Sequence, residues 1–248
     1  MIRKCKNPQV HQSQTSMQKE DVMIKFNFLF ATLLALFIAL PARAQVKLGV
    51  MGGANFANLN GNDVDGSQID FSSRTGFGLG GVLDIRLSKD ISLRFTPMYL
   101  QKGGELNDTD PDLGEETFAY KIGYLEVPAL LKIDFGKSSV RPYLLAGPTI
   151  GFNLSSKLDY SVPSFSEEID AKDITESTDL ALTFGAGASF PTGASVIFVE
   201  SRYALGLSDI AKEGVLTLMG EDLVSGDADV QTRGFQLMAG MSFPLGSK

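Results

Sequence analysis

Two glutamates, Glu126 and Glu200, and one acidic run, 107–116, are the residues whose types and spacing offer chemistry. Paired carboxylates serve as general acid and base when one of them is perturbed and a cleft admits substrate. The run Asn107-Asp108-Thr109-Asp110-Pro111-Asp112-Leu113-Gly114-Glu115-Glu116 places Asp108, Asp110 and Asp112 at alternate positions, as oxygen-ligand calcium loops do. Its Gly is misplaced for an EF-hand and no helix is expected on either side. A solvated acidic loop is therefore the better reading, with a weak calcium site as the sharper one. Gly78-x-Gly80-Gly81 and Gly185-x-Gly187 are not followed by a helix and so are not phosphate loops. No cofactor or other metal site is expected.

What surrounds these residues narrows the chemistry further. Residues 26–40 form a short apolar run with Lys25 before it and Pro41-Ala42-Arg43-Ala44 after it. A spanning helix needs about twenty apolar residues, so this reads as a secretory signal over 23–44, cleaved before Gln45. Residues 1–22 precede a sufficient signal at Met23 and are expected to be a non-native leader. The only Cys, Cys5, and the only His, His11, lie in this N-terminal part. Without them a mature chain has no disulfide, no thiolate and no imidazole, which excludes His-activated serine or water chemistry. Residues 1–44 also hold six of the 22 Lys/Arg and two of the 29 Asp/Glu, leaving 16 against 27 and a net charge near −11. Such a balance argues against nucleic acid, whose phosphates need cationic neutralisation.

The elements that must position Glu126 and Glu200 are strands. Successive side chains of a strand point to opposite faces, and eight stretches of residues 45–248 alternate accordingly. In 76–87, Phe77, Leu79, Leu83, Ile85 and Leu87 share one parity, while Gly76, Gly78, Gly80, Asp84 and Arg86 share the other. The same division sets Ile91, Leu93 and Phe95 against Ser92 and Arg94, and Leu125, Val127, Leu131 and Ile133 against Tyr124, Glu126, Lys132 and Asp134. Farther on, Ile197, Val199, Tyr203 and Leu205 oppose Glu200 and Arg202.

The polar parity thus collects glycines with Asp84, Arg86, Arg94, Glu126, Lys132, Asp134, Glu200 and Arg202. Small residues and balanced opposite charges suit the inside of a narrow barrel, where side chains fill the lumen and pair. That makes structural pairing with Arg94 and Arg202 the expectation for Glu126 and Glu200, ahead of catalysis. The joins alternate between tight turns and acidic segments of roughly twenty residues or more, as the two rims of an outer-membrane barrel do. Tyr99, Tyr124, Phe135, Tyr143, Phe152, Phe190, Tyr203 and Phe243 near strand ends are expected in interfacial girdles. Pro97, Pro128, Pro142 and Pro148 remove ladder donors, so bulges or rim positions are expected there.

Several strings resemble the PorT-like outer-membrane β-barrel family of Bacteroidota: GVMGGANF (49–56), TGFGLGG (75–81), MYLQKGG (98–104), YLEVPALLK (124–132), RPYLLAGP (141–148), ESRYALGL (200–207) and RGFQLMAG (233–240). The resemblance implies a signal peptide, an eight-stranded barrel and outer-membrane insertion. One branch of the family takes part in type IX secretion. Phe243 is followed by five further residues, a departure from barrels that end on an aromatic.

The fold expected is all-β: an eight-stranded, antiparallel, up-and-down transmembrane barrel over residues 45–248. The function expected is non-enzymatic, a monomeric barrel in the outer-membrane bilayer. Its acidic extracellular loops would meet a protein partner or serve an envelope or secretion complex. The alternative is a secreted lipocalin-like barrel holding a small apolar ligand, which requires the Leu/Ile/Phe parity to face inward.

Overall fold

A computed structural model describes residues 45–62, 68–110, 114–136, 138–162, 165–211, 216–218, 221–224 and 230–245. The expected leader and signal peptide lie outside these residues. Thirteen strands occur among the described residues: β1 (Val46–Asn62), β2 (Gln68–Asp70), β3 (Ser72–Arg86), β4 (Ile91–Phe95), β5 (Met98–Asp110), β6 (Gly114–Asp134), β7 (Arg141–Val162), β8 (Phe165–Asp170), β9 (Thr178–Thr192), β10 (Ser195–Gly206), β11 (Leu216–Leu218), β12 (Glu221–Val224) and β13 (Val230–Leu245). The main sheet is antiparallel, with path β2-β1-β13-β10-β9-β7-β6-β4-β3-β5. It closes on itself because β1 pairs β13 from Val46↔Leu245 to Gly61↔Val230 and also pairs β3 along its other edge.

The path holds ten strand elements rather than the expected eight. The excess has two sources. Pro97 cannot donate to a ladder, and the stretch that holds it splits into β4 and β5, both lying between β3 and β6. The short β2 folds back on the far end of β1. Pro142 sits at the start of β7, where its carbonyl accepts the Phe135 N–H. Pro128 and Pro148 flank a lapse in the β6–β7 ladder, which pairs Pro128↔Thr149 and resumes at Leu131↔Ala146. Gly103 adopts φ 135°, and a Cβ there would overlap the Tyr120 carbonyl; only glycine fits.

Side-chain direction decides between the two barrel readings. Val50 and Leu79 are each 64% exposed, with Phe77, Leu144, Leu180 and Val199 exposed beside them, whereas Arg94, Glu126 and Arg202 are at most 2% exposed. Apart from Ile85 and Phe95, which are buried at 2% and 9% exposure, the apolar parity faces out and the charged parity in, the reverse of what a lipocalin-like barrel needs. The interior is nonetheless less polar than expected. Met51, Val82, Met98, Leu100, Leu130, Tyr143, Leu145, Phe198 and Met238 form a buried apolar cluster within it.

Two girdle assignments change. Tyr124 and Tyr143 are buried in the lumen, at 0% and 1% exposure, because they share parity with Glu126 and Lys132 or face Glu200. An outward belt instead pairs Phe56 with Phe235, Phe77 with Tyr99 and Phe184 with Tyr203, at ring separations of 6.4, 5.8 and 5.5 Å. These residues stand about ten positions from the short-turn ends of their strands, the length that a tilted strand needs to cross hydrocarbon.

Beyond that belt the chain departs most from expectation. β6 and β7 run 21 and 22 residues, about twice a span. The join expected as a long acidic loop between the third and fourth stretches is largely a hairpin, because Thr117, Phe118, Tyr120 and Ile122 favour strand and pair onward with both β5 and β7. Val199 lies near the middle of the span on the outer face. Val199→Arg is expected to destabilise the barrel by about 2–4 kcal/mol, read from denaturant titration of folding into lipid vesicles.

Candidate functional site

The lumen gathers the chemistry-bearing residues. Asp84 on β3 and Arg94 on β4 are direct cross-strand partners joined by the tight turn between those strands. Their shared parity and short connection bring them together locally. Arg94 Nε and Nη2 donate to the two carboxylate oxygens of Asp84 at 2.7 and 2.8 Å, a bidentate pair. Its Nη1 reaches across the lumen to Glu200 Oε2 on β10 at 2.6 Å. Tyr143 donates its hydroxyl to the same oxygen at 2.6 Å. Arg202 forms an ion pair with the other oxygen of Glu200 and donates to Thr96 Oγ1 at 3.1 Å.

The Arg94 guanidinium also lies 4.6 Å from the Phe198 ring centroid. The aromatic faces offset part of the cost of taking this cation out of water. Gly187 makes room for the cluster, since a Cβ there would overlap the Tyr143 ring.

Glu126 belongs to a second cluster. Its Oε1 pairs with Lys102 Nζ at 2.5 Å, and the same ammonium donates to Asp179 Oδ2 at 2.9 Å and Thr232 Oγ1 at 3.3 Å. Thr232 in turn donates to Asp179 Oδ2 at 2.7 Å. Strands β5, β6, β9 and β13 are thereby tied through one buried cation. Neither Lys102 nor Asp179 is among the lumen residues expected from the sequence. Lys102 keeps the inward parity of Met98 and Leu100, so extending that strand by one residue finds it. Asp179 is the second residue of β9 and shares the inward parity of Ala181 and Thr183.

The eight expected lumen residues therefore do not form one network. Asp84, Arg94, Glu200 and Arg202 come together. Glu126 stands apart with Lys102. Lys132 pairs with Asp134 at 2.6 Å near the short-turn end, and Arg86 donates to Gln45 Oε1 at 3.1 Å. Asp108 and Asp110 fall on β5, but their side chains and Asp112 lie outside the described residues. No group of three or more potential ligand side chains occurs among the described residues.

At the long-loop end, Ile210 closes over Leu59, Ile122 and Tyr124 in a second apolar cluster. The segment that carries it is held by the Thr175↔Ala211 bridge and by the Ile210 N–H to the Val230 carbonyl at 2.9 Å.

Removing one partner of a buried pair leaves an uncompensated charge and costs about 3–5 kcal/mol. Glu200→Gln is expected to destabilise by that amount in denaturant unfolding in detergent micelles. Lys102→Met is expected to do the same, because Glu126 and Asp179 then face each other unshielded. Adding Glu126→Gln and Asp179→Asn to Lys102→Met should recover most of the loss. Full additivity of the three changes would show that the residues do not act together.

Solved structures that match the chain include neisserial surface protein A, at 18% identity and TM-score 0.40, covering 80% of this chain and 97% of that one. The attachment invasion locus protein Ail of Yersinia pestis shows 18% identity and TM-score 0.33, covering 80% and 99%. The N-terminal β-barrel domain of OprF from Pseudomonas aeruginosa shows 12% identity and TM-score 0.35, covering 82% and 100%. No curated protein matches the chain. The outer membrane protein beta-barrel domain matches residues 12–212. With its apolar belt outward and its ring closed, this chain belongs to that outer-membrane β-barrel family and resides in the outer membrane.

Proposed function

We propose that the barrel is a non-enzymatic, monomeric scaffold that presents an acidic sheet outside the cell as a docking surface for a protein partner. The observation that carries this reading is the continuation of β5, β6, β7 and β8 past the span as a paired sheet. Residues 105–110, 114–121, 155–162 and 165–170, which build it, contain nine Asp/Glu against two Lys. Phe118 and Tyr160 stack at 4.6 Å between centroids, and Lys121 pairs with Asp159. On the exposed face, the hydrogen bond to Glu168 holds the Lys157 ammonium above its usual pKa. Rigid elements of this kind present recognition residues at little ordering cost.

The lumen supports the non-enzymatic part of the reading. Both candidate acid/base carboxylates, Glu126 and Glu200, are engaged by Lys or Arg and buried behind apolar side chains. The charge clusters act as struts between distant strands. An accessory role in an envelope or secretion complex of the type IX kind is the finer form of this proposal, and it rests on the family resemblance in the sequence.

A photo-crosslinking residue at Ser166 on β8, activated in intact cells, should capture a discrete partner. Glu167→Lys with Glu168→Lys should reduce that capture at least several-fold. Equal capture by the charge-reversed protein would remove the acidic surface from the mechanism. Deleting the chain without effect on type IX cargo export would remove the secretion role and leave the docking surface standing.

A further inference from the structure

The end of the ring that carries the short turns faces the periplasm in outer-membrane barrels. A cavity of about 320 Å³ opens there, with the Arg94–Asp84 pair in its lining. Lys47, Arg86, Lys89, Arg94, Lys132 and Arg141 line it, against only Asp84, Asp90 and Asp134. Six cations against three acids is the opposite of the balance over residues 45–248, where acids outnumber bases 27 to 16.

Internal pairing does not consume the excess. Arg94 is satisfied by Asp84 and Glu200, and Lys132 by Asp134. Among the described residues, the Arg86 side chain meets only the neutral Gln45 side chain. Lys47, Lys89 and Arg141 make no ion pair among the described residues, and the buried Nε of Arg141 has no hydrogen-bond partner. Uncompensated cations around a walled recess focus a positive potential. Guanidinium forks and ammonium groups together match oxyanions. The volume is at the small end of ligand pockets, too small for a folded partner.

We propose that this periplasmic mouth is a binding site for a small polyvalent oxyanion bearing phosphate or carboxylate groups. The site lies at the opposite end of the barrel from the acidic sheet and is independent of the docking role. Lys47 and Arg141 supply the unpaired charge on the wall, Lys89 guards the rim, and the Arg94–Asp84 pair lies deeper in the recess.

The test is isothermal titration of the detergent-solubilised protein with pyrophosphate and, separately, citrate at low ionic strength. At least one should bind at one per chain and weaken as salt is raised. The K47Q/R141Q double variant should bind at least tenfold more weakly. K89Q changes an exposed turn residue, so folding is not at issue, and it should show a smaller loss in the same direction. K157Q, on the far sheet, should bind as the unaltered protein does. Pyrophosphate binding alone assigns a phosphate ligand, and citrate binding alone a polycarboxylate. Absence of binding by both anions overturns the proposal, as does unchanged affinity in K89Q and K47Q/R141Q. Equal weakening by K157Q would overturn it too, by showing attraction to overall charge.

Discussion

Hydrocarbon supplies no hydrogen bonds, so every backbone N–H and C=O that enters it must be paired within the protein. Closure of β1 against β13 over sixteen partner positions meets that demand and removes the sheet edges within the span. The rest of the architecture follows from it. Once the ring is closed, each strand has one face in lipid and one in a confined interior. Prolines can stand only where the ladder lapses or ends, as at Pro97, Pro128, Pro148 and Pro142.

The interior then has its own constraint. Charges excluded from water must find partners, and a ring this narrow brings strands far apart in sequence within reach of one another. Arg94 couples β3, β4 and β10, while Lys102 couples β5, β6, β9 and β13. Buried pairs of this sort add little net stability over apolar packing, but they penalise any register that separates the partners. Apolar layers between and above the two clusters, including Met98, Leu130 and Ile210, fill the remaining space. The two ends differ in sign: the extended β5–β8 sheet is rich in Asp and Glu, whereas the recess at the short-turn end is lined by six cations and three acids.

Part of the interior is legible in the sequence alone. Asp84 and Arg94 fall on inward parities either side of a tight turn, so their meeting follows from hairpin geometry alone. Glu200 and Arg202 show the same parity on one strand. The partner of Glu126 could not be read in this way. Arg94 and Arg202 were the expected partners, yet Lys102 holds it, because the register sets Arg94 opposite Leu130 and Glu126 opposite Met98, four residues farther along β6. The aromatic signal misled at Tyr124 and Tyr143, where parity and position near a strand end pointed in different directions and parity prevailed.

By itself the sequence determined the strand class, the lipid and lumen faces of most strand positions, the compartment and the two unequal rims. These are local properties, carried by a two-residue period and by turn chemistry. Only the tertiary structure decided which inward charges meet, that acidic segments read as loops continue as paired strands, and that Lys47, Lys89 and Arg141 converge on one recess. Those outcomes depend on shear and register around a closed ring, which set the height of each side chain relative to strands a hundred residues away.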